Sequence, residues 1–145
     1  MSTGIPGVLL GLDKSLPVFC AEIVDMISEY RAYVTNGKLV DVVQYRGPQD
    51  QDEKGYVALD MTVVNNAVDI LFESEEGKEL TGCGIDFAVL RIAPEEHVTC
   101  LVEVNDGFSL GRYEGLSGKA YTDLLIARWE KLVEPLSSGI MTSYR

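Results

Sequence analysis

The rhythm of apolar and polar positions changes along the chain, and each change predicts an element. Residues 17–24 carry Val18, Phe19, Cys20, Ile23 and Val24 around the single charge of Glu22, the pattern of a mostly buried strand. Residues 28–45 run in strand-like stretches on either side of Thr35-Asn36-Gly37-Lys38. Asn-Gly is the preferred centre of a type I′ turn, so this stretch predicts a β-hairpin with Glu29, Arg31 and Tyr33 on one face. From Asp60 the period lengthens to that of a helix, with Asp60 as N-cap, Met61, Val64, Val68, Leu71 and Phe72 on the apolar side, and Gly77 as the stop. Residues 81–92 and 98–105 return to strand patterning and predict a second hairpin around Pro94-Glu95-Glu96. A closing helix follows, with Tyr121, Leu124, Leu125, Trp129 and Leu132 at helical spacing, Trp129 in the core, and an end before Pro135.

These elements predict one α+β domain: an antiparallel sheet built from two hairpins, with two helices packed on one side. Residues 1–16, broken by Gly4, Pro6, Gly7 and Gly11, read as an irregular lead-in, residues 17–135 as the domain and residues 136–145 as a tail. Residues 47–55 contain no apolar side chain and predict a solvated loop suited to a flap.

Composition narrows the function. The 145 residues are 46% hydrophobic, enough for one real core. Twenty-three acidic against twelve basic residues give a net charge of −11, which argues against nucleic-acid binding because phosphate neutralisation needs clustered Lys and Arg. Three widely spaced cysteines, Cys20, Cys83 and Cys100, fit reduced thiols and imply no zinc site. With no signal-peptide pattern and no apolar run of membrane-spanning length, the expected location is the cytoplasm, away from a membrane.

The candidate chemistry lies on the last strand. Glu103 and Asn105 are two residues apart, share a strand face, and can both offer oxygen to one hard cation. Taken alone, the simplest account of Glu-x-Asn is the solvated face of a half-buried strand. A four-residue loop over residues 93–96, however, places Ile92 opposite His97 and Asp86 opposite Glu103, whereas a one-residue slip turns Asp86 to the other face. Two carboxylates ~5 Å apart at an effective dielectric of ~20 repel by roughly 3 kcal/mol, so a cation or a proton is expected between them. Magnesium completed by phosphate oxygens is the economical choice.

Asp86, followed by Glu103-x-Asn105 leading into a glycine loop, resembles the metal-binding end of the ATP-grasp superfamily. Glu22-Ile23-Val24, with Glu29-Tyr30-Arg31 beginning seven residues after Glu22, is similar to that family's adenine hinge and ribose-binding acid. Together with Asp106-Gly107 and a closing helix bearing Arg128-Trp129, the order most resembles that of ATP-grasp proteins of phages and bacteria. The resemblance implies ATP and Mg2+ as cofactors. It assigns adenine to Glu22 and the backbone of Ile23 and Val24, the ribose hydroxyls to Glu29, the transferred phosphate to Arg31 as the catalytic group, and the metal to Asp86, Glu103 and Asn105. The implied reaction is ATP-dependent ligation, in which a small carboxylate substrate takes the γ-phosphate and an amine captures the acyl phosphate. One departure stands out. Twenty-one residues precede Glu22 and Lys14 is the sole lysine among them, so the chain resembles the C-terminal half of such an enzyme, with a partner chain or an N-terminal half supplying the phosphate-binding lysines. Lys38, Arg46, Arg91, Arg112 and Lys119 remain as phosphate partners that spacing does not separate. Two other classes stay open: a non-catalytic nucleotide-binding module, and an acidic module for protein interaction.

Overall fold

The computed structural model describes Ser15, Pro17 and residues 21–140, with side chains described as far as residue 134. Nearly all of the lead-in over residues 1–16 therefore lies outside the described residues, as do Cys20 and residues 141–145.

Four strands form one antiparallel sheet: β1 (Asp25–Thr35), β2 (Lys38–Arg46), β3 (Gly82–Ala93) and β4 (Glu96–Asp106). Their order is β2-β1-β3-β4, so each predicted hairpin is present and the two are joined through β1 and β3. The β1–β2 turn is Asn36-Gly37, with φ of 50° and 72°. Positive φ at both central residues is what a type I′ turn requires, and Asn and Gly are the residues that adopt it at least cost.

Residues 21–24 do not extend the sheet. They have no regular structure and are exposed, and Ile23 is fully so, which corrects this part of the buried strand expected over residues 17–24; residues 18–20 lie outside the described residues. A few apolar residues suffice for strand-like patterning, but here nothing in the sheet lies beside them; β1 begins at Asp25, which pairs with Arg91.

Helix α1 (Met61–Glu73) starts where Asp60 accepts a hydrogen bond from the Thr62 N–H at 2.8 Å, as predicted. That cap contributes about 0.5–2 kcal/mol. Burial of Val64 and Val68 contributes more, about 1.5–3 kcal/mol each, against Ala32, Val34, Cys83, Ile85 and Phe87 of the sheet. The helix stops at Ser74, not Gly77. Ser74 Oγ donates to the Leu71 carbonyl and accepts from the Gly77 N–H, turning the chain into the one-turn helix α2 (Glu75–Lys78). Gly77 is needed for proximity: a Cβ there would lie 1.8 Å from the Leu71 oxygen.

Helix α3 (Gly118–Ile140) runs through Pro135, past the predicted stop. Proline fixes a φ that a helix accepts, but it removes one N–H bond and its ring crowds the carbonyl four residues before it, so a helix passes through it only at a cost. Leu124 is buried with Tyr33, Val43, Leu110 and Leu116. Tyr33 points to the face opposite its neighbours Ala32 and Val34, so α3 packs across the sheet from α1. The α+β class and the antiparallel sheet are as predicted, whereas the two helices lie on opposite faces. Trp129 is half exposed and meets Phe108 edge-on at 6.3 Å, outside the core expected for it. On this turn the inward position belongs to its neighbour Arg128, which is buried against Asp106 at the end of β4. No helix among the described residues is long and apolar enough to cross a membrane.

Candidate functional site

The α3 face of the sheet carries most of the candidate residues. In β1, alternation puts Glu29, Arg31 and Tyr33 on it, and the neighbouring strands extend each position sideways. Val43, Arg31, Asp86 and Glu103 form one row across all four strands, and Asp41, Tyr33, Gly84 and Asn105 form the next. Asp86 does face Glu103, but by a different route from the one predicted. The β3–β4 turn has two residues, Pro94 and Glu95, and near the turn Arg91 pairs with His97. Continued without interruption, that register would set Val102 opposite Asp86 and turn Glu103 away. Between Phe87↔Leu101 and Asp86↔Glu103, Val102 is an extra residue, a β-bulge that returns Glu103 and Asn105 to the face of Asp86.

Arg31 and Asp86 form the centre. The guanidinium holds the carboxylate with two bonds, Nε to Oδ1 and Nη2 to Oδ2, each 2.6 Å. Arg31 is 8% exposed and Asp86 2%, so this is a buried pair of the bidentate kind that planar guanidinium geometry favours. The hydrogen bonds to Asp86 hold the Arg31 guanidinium protonated well above its ordinary range, against the opposing effect of burial. The positive charge expected between Asp86 and Glu103 is thus supplied beside Asp86 by the protein. The Asn105 amide nitrogen adds to it, donating to Glu103 Oε1 at 2.9 Å and, at 3.4 Å, to Asp86 Oδ2.

Glu29 and Arg31 do not pair with each other. Glu29 receives Arg46 Nη1 at 2.5 Å and the Tyr45 hydroxyl at 3.2 Å, both from β2. The Tyr45 ring stacks on Tyr113, with centroids 4.3 Å apart and planes 14° from parallel, and the Arg31 guanidinium lies 4.9 Å from the Tyr113 centroid. Burial holds the Tyr45 phenol above its ordinary range, and the Asp86 and Glu29 charges add to the effect. A pocket of about 320 Å³ opens beside the stack, lined by Gln44, Gln49, Glu114 and Gly115 as well as the two rings.

Tyr45 and Tyr113 are residues of this cluster that the sequence did not single out; Tyr33 was expected on the face of Arg31 without a role, and Arg46, expected among the phosphate partners, is paired with Glu29. Tyr113 sits on the loop between β4 and α3, where periodicity predicts nothing, and a fully buried tyrosine fixes that loop. The Tyr33 hydroxyl accepts from the Tyr113 N–H at 2.9 Å and donates to the Gly111 carbonyl at 3.2 Å, while the Tyr121 hydroxyl donates to the Leu110 carbonyl at 2.7 Å. A tyrosine with glycines two residues to either side was the one available signal.

Other predicted positions lie elsewhere. Glu22, Ile23 and Val24 form the exposed approach to β1. Beyond them Asp25 pairs with Arg91 at 3.2 Å, and Arg91 lines a groove of about 830 Å³ with Lys54, Tyr56 and His97. Lys119 is paired with Asp123, and Arg112 donates to the Leu116 carbonyl. Arg128 holds Asp106 through two bonds of 2.6 and 2.5 Å and the Glu79 carbonyl through a third, fastening α3 to the end of β4.

The donor set is suited to a hard cation. Asp86 and Glu103 offer carboxylate oxygens and Asn105 an amide whose nitrogen now faces them; among the described residues no group of three or more His, Cys, Asp or Glu side chains could hold a metal. The Asn105 amide already points at both carboxylates, so a half-turn of that amide brings Oδ1 to the place where Nδ2 lies.

Neither the curated proteins nor the solved structures contain a match to the chain. A family model does match: an ATP-grasp domain, family 2 of its clade, over residues 4–124, a span that includes the whole sheet and every residue of the Arg31 cluster. A match of that extent makes the chain a member of this ATP-grasp domain family, and hence of a family of ATP-binding, ligase-type modules.

Proposed function

We propose that the α3 face of the sheet binds Mg-ATP and serves an ATP-dependent carboxylate–amine ligase. The observation that carries this reading is the convergence of Arg31, Asp86, Glu103 and Asn105 in adjoining rows of one sheet face inside the family match. When bound, magnesium would draw charge from the phosphoryl oxygens, the main requirement of phosphoryl transfer. Asp86, Glu103 and Asn105 would hold it. Arg31 faces the same space, and its planar fork suits a phosphate as well as a carboxylate. Glu29, oriented by Arg46 and Tyr45, offers carboxylate oxygens to ribose hydroxyls, and the exposed 22–24 segment offers backbone groups to adenine.

Calorimetry with a non-hydrolysable ATP analogue tests the assignment. Binding should require magnesium in the parent and lose that requirement, with weaker affinity, in Glu103→Ala/Asn105→Ala. Magnesium-dependent binding left unchanged in the double variant would refute it. The commitment of both Asp86 oxygens to Arg31 favours a second reading, nucleotide binding without turnover, which predicts the same calorimetry and no ADP release with any carboxylate and amine.

A further inference from the structure

We propose that Arg31 gates the cation site, so that a divalent cation binds Asp86, Glu103 and Asn105 together with a polyphosphate and not ahead of it. The inference rests on the reading of this face as a Mg-ATP site and adds an order to it. Asp86 is the most buried of the three ligands, and both of its oxygens are held at 2.6 Å by a guanidinium that is itself buried. A dication arriving alone meets a fixed positive charge on the carboxylate it needs, and the repulsion acts where little water screens it. A phosphate group changes the exchange. Its oxygens match the guanidinium fork as the carboxylate does, so Arg31 can pass from Asp86 to phosphate without losing a bidentate partner. Asp86 is then released to the metal, and no buried charge is left without an opposite.

The surroundings allow that transfer. The Tyr113 ring lies 4.9 Å from the guanidinium, and an aromatic face stabilises a cation over a range of positions. The backbone that carries the ring is held in place, because the Tyr33 hydroxyl accepts the Tyr113 N–H and donates to the Gly111 carbonyl, and the Tyr121 hydroxyl donates to the Leu110 carbonyl. Arg31 therefore has a fixed aromatic support along which its head group can shift. Asn105 completes the exchange, since its amide nitrogen serves two carboxylates and its amide oxygen serves a cation.

Titration of the intact protein with Mn2+, followed by the paramagnetic resonance of the free ion, tests the order without any turnover. The parent should leave Mn2+ unbound when no nucleotide is present. Arg31→Gln should bind it about tenfold more tightly or better, the scale of ordinary coupling between sites, and Asp86→Asn added to that variant should abolish the gain. Arg31→Lys keeps the buried charge without the fork, so it preserves the test if the glutamine variant does not fold; it should bind Mn2+ between the two. Equal Mn2+ affinity in the parent and in the folded Arg31 variants would overturn the gate. If the ATP analogue still binds the parent only with magnesium, the nucleotide site survives that result; if it does not bind, the functional reading fails as well.

Discussion

Removing Asp86 strands a buried guanidinium, and the geometry sets the size of the effect. In Asp86→Ala, Arg31 keeps its 8% exposure and loses two charged hydrogen bonds of 2.6 Å. Breaking one side of a buried ion pair costs about 3–5 kcal/mol, because the remaining charge is left without a partner. The Tyr113 face already touches the guanidinium in the parent, so it offsets none of this, and the low end of the range is a conservative figure. A loss of about 3 kcal/mol is large against the ~5–15 kcal/mol that stabilises a domain. It corresponds to a fall in melting temperature of roughly 10 °C for a chain of this length. Arg31→Leu/Asp86→Leu removes both charges and should recover most of the loss, since an apolar replacement of a buried pair is often neutral. Urea unfolding of the parent, the two single alanine variants and the double alanine variant gives the coupling energy directly. If Asp86→Ala cost less than about 1 kcal/mol and the cycle were additive, Arg31 and Asp86 would not form a buried, coupled pair.

Two further outcomes concern the supports of the site. Arg128 holds the Asp106 carboxyl below the usual range, chiefly by direct hydrogen bonding, so the stabilisation is present above the unfolded value near pH 4 and is lost as pH falls through the lower folded value. Asp106→Asn should accordingly be less stable than the parent at neutral pH, with the gap closing as acid is added, measured as urea midpoints across the acid limb. Gly77→Ala should destabilise by about 1–3 kcal/mol, the ordinary cost of overpacking, because its Cβ would meet the Leu71 oxygen at 1.8 Å. Gly111→Ala, with nothing within 4 Å of its Cβ, is the matched control and should stay within about 0.5 kcal/mol in the same thermal assay.

What the sequence revealed was local, and what it hid depended on other parts of the chain. Asn36-Gly37 declares its own turn and Asp60 its own cap, because a few neighbouring backbone atoms decide both. The end of α1 was misplaced because the hydroxyl of Ser74 competes with Gly77 for the stop, and only the fold shows the close approach that Gly77 serves. Trp129 has the spacing of a core residue, yet the buried position on its turn is taken by Arg128. At the site, the sequence brought Asp86 to Glu103 by assuming one even register, whereas the ladder changes step at Ile92 and again at Val102. It missed Arg31 as the partner of Asp86 because that contact joins residues 55 apart, on strands whose adjacency no hairpin specifies. Tyr113 was hidden for a related reason. Its place is set by the buried hydroxyl of Tyr33, 80 residues away.

The bulge at Val102 also bears on how such a site arises. β4 is an edge strand, with a ladder to β3 alone, so an added residue disturbs one set of pairings and leaves the other three strands in step. Before the bulge the α3 face of β4 takes the even positions Val98 and Cys100; after it, the odd positions Glu103 and Asn105. One inserted codon therefore suffices to exchange the side chains that half a strand presents to the sheet face. Any alignment of this strand that permits no gap there would compare Glu103 and Asn105 with residues of the opposite face.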